Sequence, residues 1–260
     1  MPGRLSQPQN RPHFAAASWQ RFAPLLALAC LWQVLSLTLD NKNVPSPAMV
    51  LLTLYWETAG GELLLHLGNT LCRVAAGFFL AMIAGVGLGM LMGRSARWDR
   101  PLDGILILGL NTPALVVIIL CYVWFGLTET AAVLAVTLNK LPSVAISIRE
   151  GARAMDPRLL EVARIYRLSR RDIFFHVYLP QLYPYLFGAA RNGLSMIWKI
   201  VLVVELLGRS DGVGFRLGSL FHFFDIAGIL AYTLAFMLVI FSIEALLLRP
   251  LEARLNRWRP

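Results

Sequence analysis

The residues with chemistry to offer fall in two places. In one apolar run Arg191, Ser195 and Lys199 recur every four residues, with Asn192 beside Arg191. That spacing puts the three on one helix face. Ionisable groups inside an apolar span face a cavity or a partner, and a basic polar stripe suits an anion. The structural alternative is that Arg191 reaches water while Lys199 pairs with an acid such as Glu205 or snorkels outward. The second place is a hydrophilic stretch, 149–184, holding Glu161, Ala163, Arg164, Arg167, Ser169, Leu179 and Pro180. A local ion pair of Glu161 with Arg158 or Arg164, each three residues away, is the plain reading there. Other chemistries find no constellation. The four histidines (His13, His66, His176, His222) stand singly, and Cys30, Cys72 and Cys121 sit inside apolar runs without metal or disulfide spacing. A membrane enzyme would need such groups clustered. No Gly-x-x-x-x-Gly-Lys-Ser/Thr loop for ATP phosphates occurs. The expectation is therefore no catalytic centre, no metal and no cofactor.

The elements that carry these residues are membrane helices. The chain has 260 residues, 57% hydrophobic and 15% charged, with positive mean hydropathy. The charges gather in short blocks between apolar runs of about 20 residues, the length of a helical span. Spans are expected at 22–39, 70–93, 102–126, 129–148, 185–207 and 226–248, an all-α bundle of about six. The net charge of +9 is lopsided. Seventeen Lys and Arg fall before Phe22, in 94–101, in 149–184 and after Leu248, against three in 40–69, 127–128 and 208–225. Positive-inside then puts both termini and the 149–184 loop in the cytoplasm and excludes nucleic acid as the reason for the charge. The organisation is a tail 1–21, a membrane domain 22–248 and a tail 249–260. Leu28-Ala29-Cys30 faintly resembles a lipoprotein cleavage site, but the apolar run continues to Leu39, and a retained first helix fits better.

Val44-Pro45-Ser46-Pro47 opens an outer segment whose part from Met49 to Leu67 is amphipathic and suits a membrane surface. Gly77, Gly85, Gly87, Gly89 and Gly93 suit close helix packing in lipid rather than a phosphate loop, which needs a preceding strand. Pro113 and Pro142 should kink the third and fourth spans. In the 149–184 loop, Asp156-Pro157 reads as an N-cap with proline at the first helical position. Ser169-Arg-Arg-Asp172 reads as a capping box for a second short helix, stopped by Pro180 and Pro184. A hairpin with apolar and basic faces fits a docking element for a cytoplasmic partner, or a basic surface lying on anionic lipid.

Glu161-Val-Ala163 and Val177-Tyr-Leu179-Pro180 resemble the EAA loop of bacterial ABC-importer permeases. That pattern is Glu-Ala-Ala, three residues, Gly, nine residues, Ile, any residue, Leu-Pro, and the spacing here fits without a gap. Pro45-Ser46-Pro47, Arg73 with Gly77-Phe78, Pro113, Trp124-Phe125-Gly126, Trp198, Glu205 and Gly212-Val-Gly214 resemble the nitrate, aliphatic-sulfonate and taurine branch. The resemblance spans about 44–250. It departs at Val162, for the second Ala, and at Arg167, for the Gly. If residue 167 is left-handed, a side chain there costs on the order of 1–2 kcal/mol. The resemblance implies a type I permease importing a small anion such as a sulfonate, nitrate or taurine. It implies two permease copies, two cytoplasmic ATPase subunits gripping the EAA loops, and a periplasmic binding protein. A secondary transporter would show an internal repeat or mid-membrane carboxylates; neither is evident, and a scaffold subunit stays open.

Overall fold

The computed structural model describes residues 14–39, 43–248 and 250. Most of the two terminal tails read from the sequence lies outside them. The described residues are helical and hold no strand. α1 (Phe14–Leu39) leads to α2 (Pro47–Ala59), then α3 (Glu62–Arg94), α4 (Ala96–Asn111), α5 (Ala114–Phe125) and α6 (Glu129–Arg153). α7 (Pro157–Ile165) and α8 (Arg170–Asp172) follow; α8 continues through a π-helical stretch, Ile173–Tyr178, into α9 (Leu179–Gly208). α10 (Val213–His222) and α11 (Ile226–Ile243), with a π-helical end Glu244–Leu248, complete it.

Four described helices are long and apolar enough to cross a membrane: α3, α6, the continuous α8–α9 helix and α11. The α4–α5 pair makes a fifth if the bent pair is one span. The apolar part of α1, Leu26–Leu39, is shorter than a full span, so the sixth crossing expected from the sequence rests on a short segment.

The kink expected in the 102–126 span is a full break. α4 and α5 meet at a bend of 99°. Pro113 has no N–H to continue the helix, and Thr112 before it is pushed to an extended conformation (φ −74°, ψ 123°). Pro142, by contrast, stays inside the unbroken α6 and packs against α4 at Gly109. The amphipathic stretch Met49–Leu67 is also divided. Gly61, at φ +85°, ends its helical course, and Glu62–Leu67 becomes the first part of α3. Pro180 and Pro184 do not stop the hairpin's second helix. The backbone widens ahead of Pro180, where the Leu179 N–H bonds to Phe174 O five residues back, and the helix runs on. α10, unforeseen in the 208–225 segment, folds back against α9 and α11.

The core is the α3–α6 seam, with α9 packed on α6. Gly77, Ala81, Gly85, Gly89 and Gly93 recur every four residues along α3 and all but Gly93 are buried. A Cβ at Gly89 would lie 2.4 Å from the carbonyl oxygen of Ala145, so the two backbones touch there and only glycine fits. Gly87 faces open space and takes no part. Around this seam Ile118, Val136, Ile197, Val201, Val204 and Tyr232 form the main apolar cluster, all buried.

Candidate functional site

Two constellations stand at opposite ends of α3 and α9, separated by about 30 Å of helix rise. The first was only partly visible in the sequence. Arg73, on α3, is 3% exposed. Its Nε donates to Glu129 Oε1 at 2.7 Å and one terminal nitrogen to Glu205 Oε1 at 2.7 Å and to the Asp211 carbonyl at 3.1 Å. The other terminal nitrogen donates to Glu129 Oε2 at 3.0 Å and to the Asp211 carboxylate. All five guanidinium donors are used. Glu205, fully buried near the end of α9, also accepts from the Thr70 hydroxyl at 2.9 Å and from Gly214 N–H at 2.8 Å. Val213 N–H donates to the Thr70 hydroxyl and Gly212 N–H to His66 Nδ1. Arg209 closes on Glu129 at 2.8 Å. Gly212 takes φ +101°, and a Cβ there would lie 2.3 Å from the Glu205 carboxyl carbon; no other residue fits this approach.

This knot ties α3, the start of α6, the end of α9 and the turn into α10. Arg73, Glu205 and Gly212–Gly214, quoted separately for the resemblance, meet in it. His66, Asn69, Glu129 and Asp211 were missed, as was Thr70. The readable signal was the polar spacing His66, Thr70 and Arg73 on one face of α3. Lys199 makes no ion pair with Glu205, which is fully engaged elsewhere.

The second constellation is the hairpin of 149–184, and its two caps form as expected. The Asp156 carboxylate accepts from Arg158 N–H at 2.9 Å and starts α7; the Ser169 hydroxyl accepts from Asp172 N–H at 3.2 Å and starts α8. Arg167 is left-handed, at φ +51°. Around it Leu168 N–H reaches Ala163 O at 3.0 Å and Arg167 N–H reaches Arg164 O at 2.9 Å. These are the paired bonds of a Schellman C-cap, whose left-handed position favours glycine. The turn expected of the Gly pattern is thus kept, with arginine carrying its strain.

Ala163 is buried, packed into the hairpin, whereas Glu161, Arg164, Arg167 and Ser169 are exposed. Among the described residues Glu161 pairs with neither Arg158 nor Arg164. Apolar side chains are exposed too: Leu159, Val162, Ile165, Tyr166, Leu168 and Phe175. A groove of about 440 Å³ lies between α7 and the π-helical stretch, lined by Leu159, Val162, Ala163, Tyr166, Val177 and Pro180. The hairpin is braced from behind. Asp156 N–H donates to Gln181 Oε1 at 3.0 Å, and the Arg94 guanidinium lies 4.0 Å over the Tyr178 ring. Leu179 leads α9 away from it.

Arg191, Asn192, Ser195 and Lys199 all lie on the exposed side of α9. Arg191 pairs with Glu244 at 3.1 Å. Ser195 and Lys199 border a mainly apolar groove of about 250 Å³ between α9 and α11. The first cation of this face is thus shared with a carboxylate.

Residues 66–255 match the family described as binding-protein-dependent transport system inner membrane component. The chain belongs to this family. It is 31% identical over 254 residues to the putative aliphatic sulfonates transport permease protein SsuC of Bacillus subtilis (strain 168), covering 96% of this chain and 92% of that one. It is 29% identical to the taurine transport system permease protein TauC of Escherichia coli (strain K12), over 89% of this chain and 86% of that one. With the nitrate import permease protein NrtB of Synechocystis sp. it shares 28% over 74% of each. The fold matches an inward-facing MetNI methionine ABC transporter chain with a TM-score of 0.62 at 18% identity, covering 73% of this chain and 94% of that one. The architecture is thus that of a type I ABC-importer permease. The chain is a membrane transport subunit and not an enzyme; it works with an ATPase subunit, to which ATP hydrolysis belongs, and with a binding protein.

Proposed function

We propose that two copies of this permease form the pathway of an importer carrying a small anionic solute across the bacterial inner membrane to the cytoplasm. Both termini and the 149–184 hairpin face the cytoplasm, where two ATPase subunits grip the hairpins. The observation that carries this is the hairpin's exposed apolar surface. A water-facing element with Ile165 and Tyr166 each more than three-quarters exposed needs a protein to cover it. Glu161, Arg164, Arg167 and Ser169 rim that surface and would set the register with the ATPase; buried Ala163 floors the groove and Pro180 lines it.

Closure of the ATPase pair on ATP would draw two such hairpins together. Because the hairpin's second helix runs without a break into α9, its displacement passes directly into the membrane as a rigid-body movement. The solute class rests on two supports. The relatives are named for aliphatic sulfonates, taurine and nitrate, each bearing an oxyanion, and Arg191, Asn192, Ser195 and Lys199 lie uncovered along α9. The test is uptake of radiolabelled taurine, methanesulfonate or nitrate into proteoliposomes holding the permease, its ATPase and its binding protein. Uptake that needs both ATP and the intact hairpin is expected. Uptake indifferent to the ATPase would overturn the reading.

A further inference from the structure

The described helices bury two strong cations, Arg73 and Lys140, and treat them differently. Arg73 meets three carboxylates. Lys140, 3% exposed and midway along α6, meets none among the described residues. Its ammonium lies 3.3 Å from the Ser143 hydroxyl and 3.7 Å from Met196 Sδ. An ammonium has three donors and a full charge, and a hydroxyl with a thioether does not neutralise it. Charge at the centre of a span is costly and is kept where it meets a counter-charge or a polar cavity.

The site around it is built for the lysine. A Cβ on Gly193 would lie 3.3 Å from Lys140 Cε and 3.7 Å from the Phe78 ring, so the lysine stem crosses α9 at its one bare position there. Along α6, Asn139, Ser143 and Ser147 recur every four residues and are half-buried. On α9 Asn192 and Met196 are four residues apart and exposed. Lys140 therefore sits in the α6–α9 seam beneath Met196, beside the polar stripe of α6 and with Asn192 one turn from Met196 on α9. The other membrane cations fit less well, since Arg191 meets Glu244 and Lys199 borders an apolar groove.

We propose that Lys140 is the intramembrane anchor for the solute's oxyanion. Ser143 is a second donor, Met196 covers the site at rest, and Asn192 lines the approach. The proposal rests on the solute being an anion and names where that anion pauses.

The test uses the whole transporter in proteoliposomes, with taurine, methanesulfonate and nitrate as probes. Lys140→Met should lower uptake of whichever probe the wild type carries by about tenfold or more, the loss expected when one partner of a desolvated charge pair is removed. ATP hydrolysis stimulated by the binding protein should survive, and Lys140→Arg, which keeps the charge but needs more room, should retain more uptake than Lys140→Met. Wild-type uptake matched by Lys140→Met overturns the anchor and leaves the importer reading standing. A wild type that carries none of the three sinks the anionic-solute reading and the anchor with it. Should Lys140→Met fail to assemble, Met196→Cys in a background of Cys30→Ala, Cys72→Ala and Cys121→Ala decides. An anionic methanethiosulfonate should modify that cysteine about tenfold faster than a cationic one, by attraction to the nearby charge, and a transported probe should slow it. Equal rates without protection overturn the proposal.

Discussion

The two ends of α3 and α9 handle polar side chains in opposite ways. At one end Arg73 has every donor occupied and Glu205 is sealed from solvent by Thr70 and Gly214. At the other, the hairpin leaves Glu161 without an ion partner among the described residues and Ile165 and Tyr166 bare. A satisfied network holds helices in one arrangement, whereas an unsatisfied surface waits for something to cover it. On the proposed reading the contrast separates a hinge point from a handle: the charge knot would keep α3, α9 and α10 together while the far end is pulled.

The comparison is broken most forcefully at Arg73. Arg73→Leu leaves Glu205 buried without its cation, and removal of one partner from such a pair costs about 3–5 kcal/mol. The detergent-solubilised protein should melt far lower or fail to accumulate, whether or not the ATPase is present. Melting unchanged by this substitution would mean that the knot is not structural. Gly212→Ala should act in the same direction by about 1–3 kcal/mol, from strain at positive φ and contact with the Glu205 carboxyl group.

At the hairpin the expected pattern inverts. Glu161→Lys and Tyr166→Asp change exposed side chains, so the permease alone should melt within about 0.5 kcal/mol of wild type. ATPase copurification should nevertheless fall severely, which pull-down at equal permease loading measures. Loss of melting stability together with loss of ATPase would make the hairpin a structural element like the knot. Arg167→Gly is the finest cut. Relief of the left-handed arginine should stabilise the hairpin by about 1 kcal/mol, seen as slower proteolysis at 149–184. If ATPase binding weakens despite this, the Arg167 side chain touches the partner.

Much of the hairpin was legible because it is local. Asp156, Pro157 and Ser169 declare their caps by type and spacing, and the EAA spacing fixes the left-handed turn even with arginine in it. Continuity past Pro180 was not legible, because the accommodating π-helical turn depends on how the flanking helix packs. The charge knot was legible only in pieces. Arg73 and Glu205 lie more than a hundred residues apart, and the register that joins them is set by helix packing rather than by any local pattern. Lys140 stands in an apolar run of the sequence, but its lack of a carboxylate among the described residues is a property of the assembled α6–α9 seam. The break at Pro113 was expected as a kink; its size depends on Thr112 turning extended before a proline.

The handle itself is tested most directly by a single cysteine at Arg164, in a chain whose three native cysteines are alanine, labelled with a membrane-impermeant maleimide. In inside-out vesicles the label should attach readily, and adding the ATPase subunit should block it. Labelling in right-side-out vesicles instead, or labelling that the ATPase leaves untouched, would contradict the account.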